Sequence, residues 1–327
     1  MANTIRWGIL GTGSIASQFA EGLEQLSDAE LVAVGSRSTK SAELFGNRFG
    51  APKRHGSYEA LVNDPDVDVI YVATPHSCHA ENTLLALSAG KPVLCEKPFA
   101  INAGEAARVI QFAREKKLFV MEAMWTRFFP LMEKLQALLA ADVIGEVRML
   151  SADFGFRAER NEEERLFNPA FGGGALLDVG VYPVSLASMI FGPPTRIASL
   201  AHLGTTGVDE EAAMVLSHTG GRLAVLSTAI RTETFHDACI MGTTGRIRID
   251  RPWWRPTGMT LSREGVDDER MEFPLTGNGY QFEAAEVGRC LREGKLESSL
   301  MPLDETLSIM KTLNSIRAQW GLKYPME

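Results

Sequence analysis

The chain has 327 residues, of which 45% are hydrophobic and 23% charged, and its formal net charge is −8. This composition is ordinary for a globular protein, and the length is sufficient for two domains with buried cores. The negative charge, in a sequence without a Lys/Arg cluster, argues against a nucleic-acid partner. One basic pocket for a phosphorylated cofactor stays compatible with it.

Nothing in the sequence predicts export or a membrane partner. The N-terminus runs from a polar triplet directly into a strand pattern, unlike a signal peptide. No stretch approaches about 18 uninterrupted apolar residues, so no membrane span is expected. The four cysteines are scattered without metal-ligand spacing, which favours a reducing compartment and a cytoplasmic location.

The first third of the chain alternates strand and helix patterns. Predicted strands cover residues 6–10, 31–36, 67–74, 92–95 and 118–121, and helical patterns cover 14–26, 41–49, 58–63, 78–89 and 103–116. Several of these strands are apolar almost throughout, as expected of strands covered on both faces. The alternation predicts a Rossmann domain with a doubly wound parallel sheet, at residues 1–123.

The remaining residues, 124–327, have a different pattern. One helical stretch at 129–141 precedes runs that alternate at period two, and two helical patterns at 280–293 and 304–320 close the chain. The predicted strands are residues 146–154, 196–203, 212–217, 222–229, 238–241, 246–250, 259–263 and 270–273. This part is predicted to be an α/β domain with a large, mostly antiparallel open sheet that binds substrate.

A glycine loop follows the first predicted strand and opens a helix. Its sequence is Gly11-Thr12-Gly13-Ser14-Ile15-Ala16. Gly11 permits a tight turn, Gly13 lets backbone amides approach a pyrophosphate, and Ala16 keeps the helix close to the strand. The amides at the helix N-terminus favour an anion. Glycines mark any strand-to-helix turn, but this context predicts dinucleotide binding.

The second strand ends in residues that favour a phosphorylated adenosine ribose. An acidic residue is expected there when the ribose has a free 2′-hydroxyl. This chain has Ser36 and Arg37 instead, with Lys40 just beyond. A guanidinium can bind a 2′-phosphate, which predicts NADP rather than NAD, although NAD stays open. The alternative is that Arg37 is an ordinary solvated charge.

Two further strand ends carry candidate residues. Thr74, Pro75 and His76 follow the strand at 67–74, with His79 one helical turn later. The two histidines could be metal ligands, but no third ligand cluster lies nearby in the sequence. We therefore predict no metal site. Both are instead predicted to line the cofactor site, unless one only caps the following helix.

Glu96-Lys97-Pro98 follows another buried strand. A Lys at the carboxyl edge of the sheet lies where a nicotinamide is expected, and desolvation there favours the neutral amine. Lys97 is therefore a candidate for proton transfer beside a hydride. The alternative is a structural salt bridge.

A run of three glycines, Gly172 to Gly174, precedes an apolar helical pattern that contains Asp178 and Tyr182. The glycines are expected to let a loop pass close to a ligand. Residues four apart share one face of a helix, so Asp178 and Tyr182 are expected to lie together. An ammonium group near a phenol lowers its pKa, so Tyr182 with Lys97 is a candidate acid/base pair.

Together these motifs resemble the Gfo/Idh/MocA family of oxidoreductases over essentially the whole chain. Glu96-Lys97-Pro98 matches the most specific family motif and Asp178-x-x-x-Tyr182 the second, although most members have His in place of Tyr182. The Tyr, with residues 121–130, resembles the branch of the dimeric dihydrodiol dehydrogenases and NADP-dependent D-xylose 1-dehydrogenases.

That resemblance implies several properties of this chain. They are a dehydrogenase acting on CH–OH groups with NADP, a sugar, cyclitol or diol substrate, and a homodimer through the C-terminal sheet. It also implies that Tyr182 and Lys97 act as acid and base, that Asp178 orients the substrate or Lys97, and that Trp125 and Arg127 lie beside the cofactor.

Two other functions remain open at this point. Some members of the family keep NAD bound and use transient oxidation for elimination or glycoside cleavage, which Arg37 argues against. A non-catalytic regulatory protein on the same fold would need the glycine loop but not Lys97, Asp178 and Tyr182 together. The sequence does not identify the substrate.

Overall fold

The computed structural model describes residues 4–327, which form two compact units. The first contains the chain through Trp125 together with Thr276–Leu307, and the second contains Thr126–Leu275 together with Ser308–Glu327. The sequence places a boundary after residue 123, close to the end of the first segment. It does not predict that Thr276–Leu307 belongs to the first unit, because a helical pattern does not indicate which sheet the helix covers.

The first unit contains a six-stranded parallel sheet in the order β3-β2-β1-β4-β5-β6. Its strand order reverses between β1 and β4, which is where α/β sheets bind ligands at the carboxyl ends of their strands. The strands are β1 (Ile5–Leu10), β2 (Ala29–Gly35), β3 (Lys53–His55), β4 (Val69–Val72), β5 (Val93–Glu96) and β6 (Val120–Ala123).

Three helices of this unit begin at side-chain caps that the sequence provides. Ser38, Ser57 and Asn102 each accept a hydrogen bond from an amide three residues later, which fixes where α2, α3 and α5 start. The helices are α1 (Ser14–Leu23), α2 (Thr39–Phe49), α3 (Tyr58–Val62), α4 (His79–Ser88), α5 (Ala103–Lys116) and, after the second unit, α8 (Tyr280–Arg292).

The second unit contains an eight-stranded sheet in the order β14-β13-β12-β11-β7-β10-β9-β8. Only β7 and β10 pair in parallel, so the predicted mostly antiparallel sheet is confirmed. The strands are β7 (Val147–Gly155), β8 (Arg196–Leu203), β9 (Asp209–His218), β10 (Arg222–Ala229), β11 (Ala238–Gly242), β12 (Gly245–Ile249), β13 (Gly258–Arg263) and β14 (Val266–Glu272). Its helices are α6 (Pro130–Ala140), α7 (Val181–Phe191) and the end of α9 (Leu303–Ala318).

Helix α7 packs on the inner face of this sheet and is buried along most of its length. The helical segment Pro169–Phe191 is long and apolar enough to span a membrane by length and composition, a property that the sequence inspection did not anticipate. In the structure 78% of its apolar window is buried. This is the burial expected of a core helix in a globular protein.

The sequence patterns missed β3. Its three residues, Lys53–His55, are polar and lie at the edge of the sheet, so neither apolar character nor length identifies them. The doubly wound sheet predicted for this part of the chain is otherwise confirmed, and the predicted strands differ from the observed ones mainly at their ends.

Candidate active site

The glycine loop between β1 and α1 has the geometry of a phosphate site. Gly11 has φ +113°, and a Cβ there would lie 2.6 Å from the Ala73 carbonyl oxygen, so only glycine fits. A Cβ on Gly13 would meet open space. Ser14 and Ile15 begin α1, whose first turn has no side-chain cap and no acidic residue. Their amides therefore remain suited to bind a pyrophosphate.

The second strand end is basic, as predicted. Ser36 is buried, whereas Arg37 and Lys40 are exposed beside the capped N-terminus of α2. The phenol of Tyr58 lies close to Arg37: burial raises the pKa of Tyr58 while the guanidinium opposes that shift. Residues 36–40 contain no carboxylate that would repel a 2′-phosphate. The arrangement fits a phosphorylated ribose.

The end of β4 supplies the next part of this edge. The Ala73 amide bonds the Leu10 carbonyl oxygen at 2.9 Å, which places Thr74 and Pro75 beside the glycine loop. Thr74 is buried, and its hydroxyl accepts a hydrogen bond from Asn82 at 3.1 Å. These residues lie where the strand order reverses, as a nucleotide site at this edge requires.

His79 lies between two strand ends, and its predicted place beside the cofactor stays a prediction. Its ring is fully buried, with Nδ1 2.7 Å from the Pro98 carbonyl oxygen and Nε2 2.8 Å from the Thr74 carbonyl oxygen. His79 links two strand ends and holds the segment after Lys97. The His76 ring packs against the His79 ring at 5.7 Å between centroids. His76 follows β4, and its side chain is buried.

The turn that carries Lys97 is held from several sides. The Lys97 amide donates to Glu96 Oε2 at 3.1 Å, and the buried Tyr71 hydroxyl donates to Glu96 Oε1. The Phe99 amide donates to the buried Glu122 at 3.0 Å. Lys97 itself is half-buried. Buried side chains thus fix the backbone on both sides of the candidate lysine.

A buried acid that the sequence did not single out lies behind this turn. Glu283 of α8 is fully buried, and neither of its carboxyl oxygens has a hydrogen-bond partner among residues 4–327. Burial, with a contribution from the charge of Glu96, raises the pKa of Glu283 well above its usual range. Burial therefore favours the neutral acid form of this side chain.

Trp125 and Arg127 are both buried. The Trp125 ring stacks on Tyr280 of α8 at 4.6 Å between centroids. The Arg127 guanidinium donates to Ser185 of α7, to its Oγ at 3.0 Å and to its carbonyl oxygen at 2.8 Å. These contacts tie Arg127 to α7 within the second unit, and its predicted place beside the cofactor stays a prediction.

The segment before α7 places Asp178 and Tyr182. Leu176–Gly180 forms a π-helical turn, which the sequence did not predict, and it runs directly into α7. Asp178 is buried and accepts a hydrogen bond from Arg165 at 2.6 Å. Arg165, from the charged loop before the glycines, is therefore part of this site rather than only a solvated charge.

Tyr182 lies in an aromatic cluster that the sequence analysis missed. Its ring is 5.2 Å from that of Phe154, which stacks on Trp254 at 3.4 Å. The His236 ring is 4.6 Å from Trp254. Phe154 belongs to β7 and the other two to distant loops, so no local spacing joins them. The adjacent pair Trp253 and Trp254 was the one available signal.

The three glycines before this segment serve the packing of the protein itself, which corrects the prediction that they approach a ligand. A Cβ on Gly173 would lie 2.7 Å from the carbonyl oxygens of Arg165 and Leu166. A Cβ on Gly174 would lie 2.2 Å from Asp209 Oδ1. The glycines therefore let this loop approach other parts of the same chain closely.

Comparison with known proteins identifies the family of this chain. The model of the oxidoreductase family with an NAD-binding Rossmann fold matches residues 5–124, and the Gfo/Idh/MocA C-terminal domain matches residues 132–248. The chain belongs to the Gfo/Idh/MocA family of oxidoreductases. The resemblance seen in its motifs is thus confirmed.

Among curated members of this family, the chain is 39% identical to trans-1,2-dihydrobenzene-1,2-diol dehydrogenase from Mus musculus, over 99% of each protein. It is 38% identical to the D-xylose 1-dehydrogenase (NADP(+)) of Hypocrea jecorina, over 98% of this chain and 93% of that protein. Both alignments cover nearly the whole chain and therefore include both units.

Solved family structures share the same architecture. One is KijD10, a 3-ketoreductase from Actinomadura kijaniata in complex with NADP and TDP-benzene, with a TM-score of 0.86 at 28% identity over 97% of this chain and 98% of that one. The aldose-aldose oxidoreductase from Caulobacter crescentus has a TM-score of 0.89 at 23% identity over 98% of each chain, which shows the shared fold.

Proposed function

We propose that this protein is an NADP-dependent dehydrogenase that oxidises a CH–OH group of a small sugar, cyclitol or cyclic diol. The observation that carries the proposal is one edge of the parallel sheet, where the glycine loop follows β1, the basic residues follow β2 and Lys97 follows β5. The named relatives support it, because one is named for a dihydrodiol substrate and the other for D-xylose and NADP.

The first unit would hold the cofactor. The Gly11–Gly13 loop and the Ser14 and Ile15 amides would bind the pyrophosphate, and Arg37 would bind the 2′-phosphate. When bound, NADP+ supplies the hydride acceptor. Glu96 and His79 hold the turn on which Lys97 lies, so that its amine stays at the same edge of the sheet.

The second unit would supply the acid and base. In the oxidation direction the ionised Tyr182 oxygen would accept the proton of the substrate hydroxyl, while the hydride of the C–H bond would go to the bound NADP+. Phe154 and Trp254 surround the ring with apolar surface, which excludes water from the proton transfer. Asp178, paired with Arg165, would orient the substrate. We further propose that Lys97 assists the proton transfer at Tyr182.

We also propose a homodimer formed through the outer face of the second sheet. Four apolar side chains of this sheet are well exposed: Leu200 at 83%, Val215 at 42%, Val225 at 41% and Met149 at 39%. The strand register places all four on one face of β7 to β10. A partner of the same kind would cover this apolar face. In Val225→Glu, sedimentation should show monomers where wild type sediments as a dimer.

The location and other partners follow from composition. We propose a cytoplasmic protein, since its four cysteines form no disulfide among the residues described. The net charge of −8 and the buried state of Pro169–Phe191 support a protein with neither a nucleic-acid nor a membrane partner.

The decisive assay is the initial rate of reduced-cofactor formation with NADP+ and NAD+ in parallel, across aldoses, cyclitols and cyclic diols. The proposal expects turnover with NADP+ on at least one substrate class and a strong preference over NAD+. Protein that arrives with NAD bound and turns over without net NADPH would instead support the internal-redox chemistry. Binding without any turnover would support a regulatory protein.

A further inference from the structure

Asp209 begins β9 and is fully buried, although the proposed reaction assigns it no part. Its Oδ2 accepts a hydrogen bond from the Leu176 amide at 2.6 Å. Leu176 begins the π-helical turn that carries Asp178 and leads into α7, where Tyr182 lies. Asp209 therefore caps the N-terminus of the helical segment that holds two candidate site residues.

The glycine loop is shaped around this carboxyl group. Gly174 has φ +109°, and its missing Cβ is what lets Asp209 Oδ1 lie against the loop. That oxygen has no hydrogen-bond partner among residues 4–327. Buried polar atoms without partners are rare in native proteins because they lower stability, so such an atom indicates a functional role or local strain.

The surroundings of Asp209 bring the pKa of its carboxyl group close to neutral pH. Burial raises the pKa of Asp209 to about 7. The hydrogen bond from the Leu176 amide and the charge of Arg317 favour the carboxylate and partly oppose this shift. Two groups from other elements face it. They are Arg317 of α9, which is paired with Glu327, and Tyr324, whose hydroxyl donates to the Gly173 carbonyl oxygen at 2.8 Å.

We propose that Asp209 is a positioning residue for the dehydrogenase reaction and that its carboxylate form holds Asp178 and Tyr182 in the active geometry. A carboxylate interacts with the partial positive charge of a helix N-terminus, and a neutral carboxyl group loses that interaction. The turn is thus held more tightly above neutral pH than below it. The proposal rests on the proposed function, because that function is what makes Asp178 and Tyr182 site residues.

The test compares wild type with Asp209→Asn, which keeps the shape and the acceptor oxygen but not the ionisation. In wild type kcat should fall about 10-fold as the pH drops from 8 to 6, with an inflection near neutrality. In the Asn variant this inflection should be absent, while NADPH affinity stays unchanged. Thr228→Val is the matched control, because the Thr228 hydroxyl bonds the same segment at the Ala175 carbonyl oxygen without titrating. It should keep the wild-type pH profile.

A second readout does not depend on turnover. Hydrogen exchange of peptides covering residues 174–182, corrected for intrinsic rates, should show about 10-fold less protection at pH 6 than at pH 8 in wild type but not in Asp209→Asn. The proposal is overturned if both proteins show the same pH dependence of kcat or of protection. If protection follows the prediction but no substrate is oxidised, the proposed function fails while the control of the turn by Asp209 stands.

Discussion

The two units hold their candidate site residues in different ways. In the first unit, the glycine loop, Arg37 and Lys97 each follow a parallel strand, and the register of the sheet alone brings them to one edge. In the second unit, Asp178 and Tyr182 lie on one helical segment that side chains from distant elements hold, among them Asp209 and Arg165.

The two units also differ in the chemical groups that they present. The first unit presents mainly backbone amides and fixed charges, which suit a cofactor whose phosphates are the same in every reaction. The second unit presents ionisable groups in apolar surroundings, which suit a proton transfer. Substitutions in the first unit should therefore act on cofactor affinity, and those in the second on turnover and its pH dependence.

The largest effect is expected at Tyr182. Tyr182→Phe removes the proposed proton acceptor while keeping the ring against Phe154, so kcat should fall about 10²–10⁴-fold. Because the residue lies outside the cofactor unit, the Kd for NADPH should stay within about twofold, as measured by fluorescence titration. Normal turnover in this variant would remove Tyr182 from the mechanism.

Lys97→Met should have a smaller effect, about 10²-fold on kcat, because it removes an assisting ammonium rather than the proton acceptor. A double-mutant cycle with Tyr182→Phe decides whether the two residues act together. If they serve one proton transfer, the double variant should be little worse than Tyr182→Phe alone. Fully additive losses would separate their roles.

Asp209→Asn should flatten the dependence of stability on pH. Since burial raises the pKa of Asp209 to about 7 in the folded chain, the folded state binds this proton more tightly than the unfolded state does. The resulting stabilisation is complete below the unfolded pKa and is lost as the pH rises through about 7. Urea unfolding should show a loss of about 3 kcal/mol between pH 5 and pH 8 from this group, absent in the Asn variant.

That prediction separates stability from activity within the second unit. The protonated form of Asp209 is the more stable one, whereas the carboxylate is the form proposed to hold the active geometry. Identical stability profiles for wild type and Asp209→Asn would show that the group does not titrate in this range.

Arg37→Ala should raise the KM for NADP+ about 10- to 100-fold through the loss of charged hydrogen bonds to a 2′-phosphate, with kcat and the KM for NAD+ nearly unchanged. Arg48→Ala is the matched control. Arg48 is an exposed arginine of the neighbouring helix α2 and pairs with Glu21 at 3.0 Å. Equal effects on both cofactors would place the 2′-phosphate elsewhere.

The smallest effect is expected at the buried acid of the first unit. Because burial favours the neutral form of Glu283, we expect Glu283→Gln to change neither kcat nor unfolding free energy appreciably between pH 6 and pH 8. The contrast with Asp209→Asn sharpens the comparison of the units. A large loss at pH 7 in Glu283→Gln would mean that this carboxyl group is ionised or transfers a proton.

The same contrast explains how much the sequence could predict. Gly11, Arg37 and Lys97 were found because each lies within a few residues of a strand whose apolar run is visible. The three-residue strand Lys53–His55 was missed, because a polar edge strand has no such pattern. The structural contacts of His79 were missed, since spacing alone does not reveal that both ring nitrogens are bonded to carbonyl oxygens.

In the second unit the local pattern located Asp178 and Tyr182 but not what holds them. Asp209 lies more than 30 residues from the Leu176 amide that it bonds, and Phe154 and Trp254 are 100 residues apart. These contacts depend on the register of a large antiparallel sheet. Such long-range pairing leaves no periodic signal in a single sequence.

The most direct test of the account is deuterium transfer from substrate to cofactor. Wild-type protein would be incubated with NADP+ and D-xylose deuterated at C1, or a dihydrodiol deuterated at its carbinol carbons, and the reduced cofactor analysed by mass spectrometry. The account predicts NADPH carrying one deuterium per molecule, formed in proportion to oxidised product. Product formed without labelled NADPH, or with bound cofactor unchanged, would contradict it.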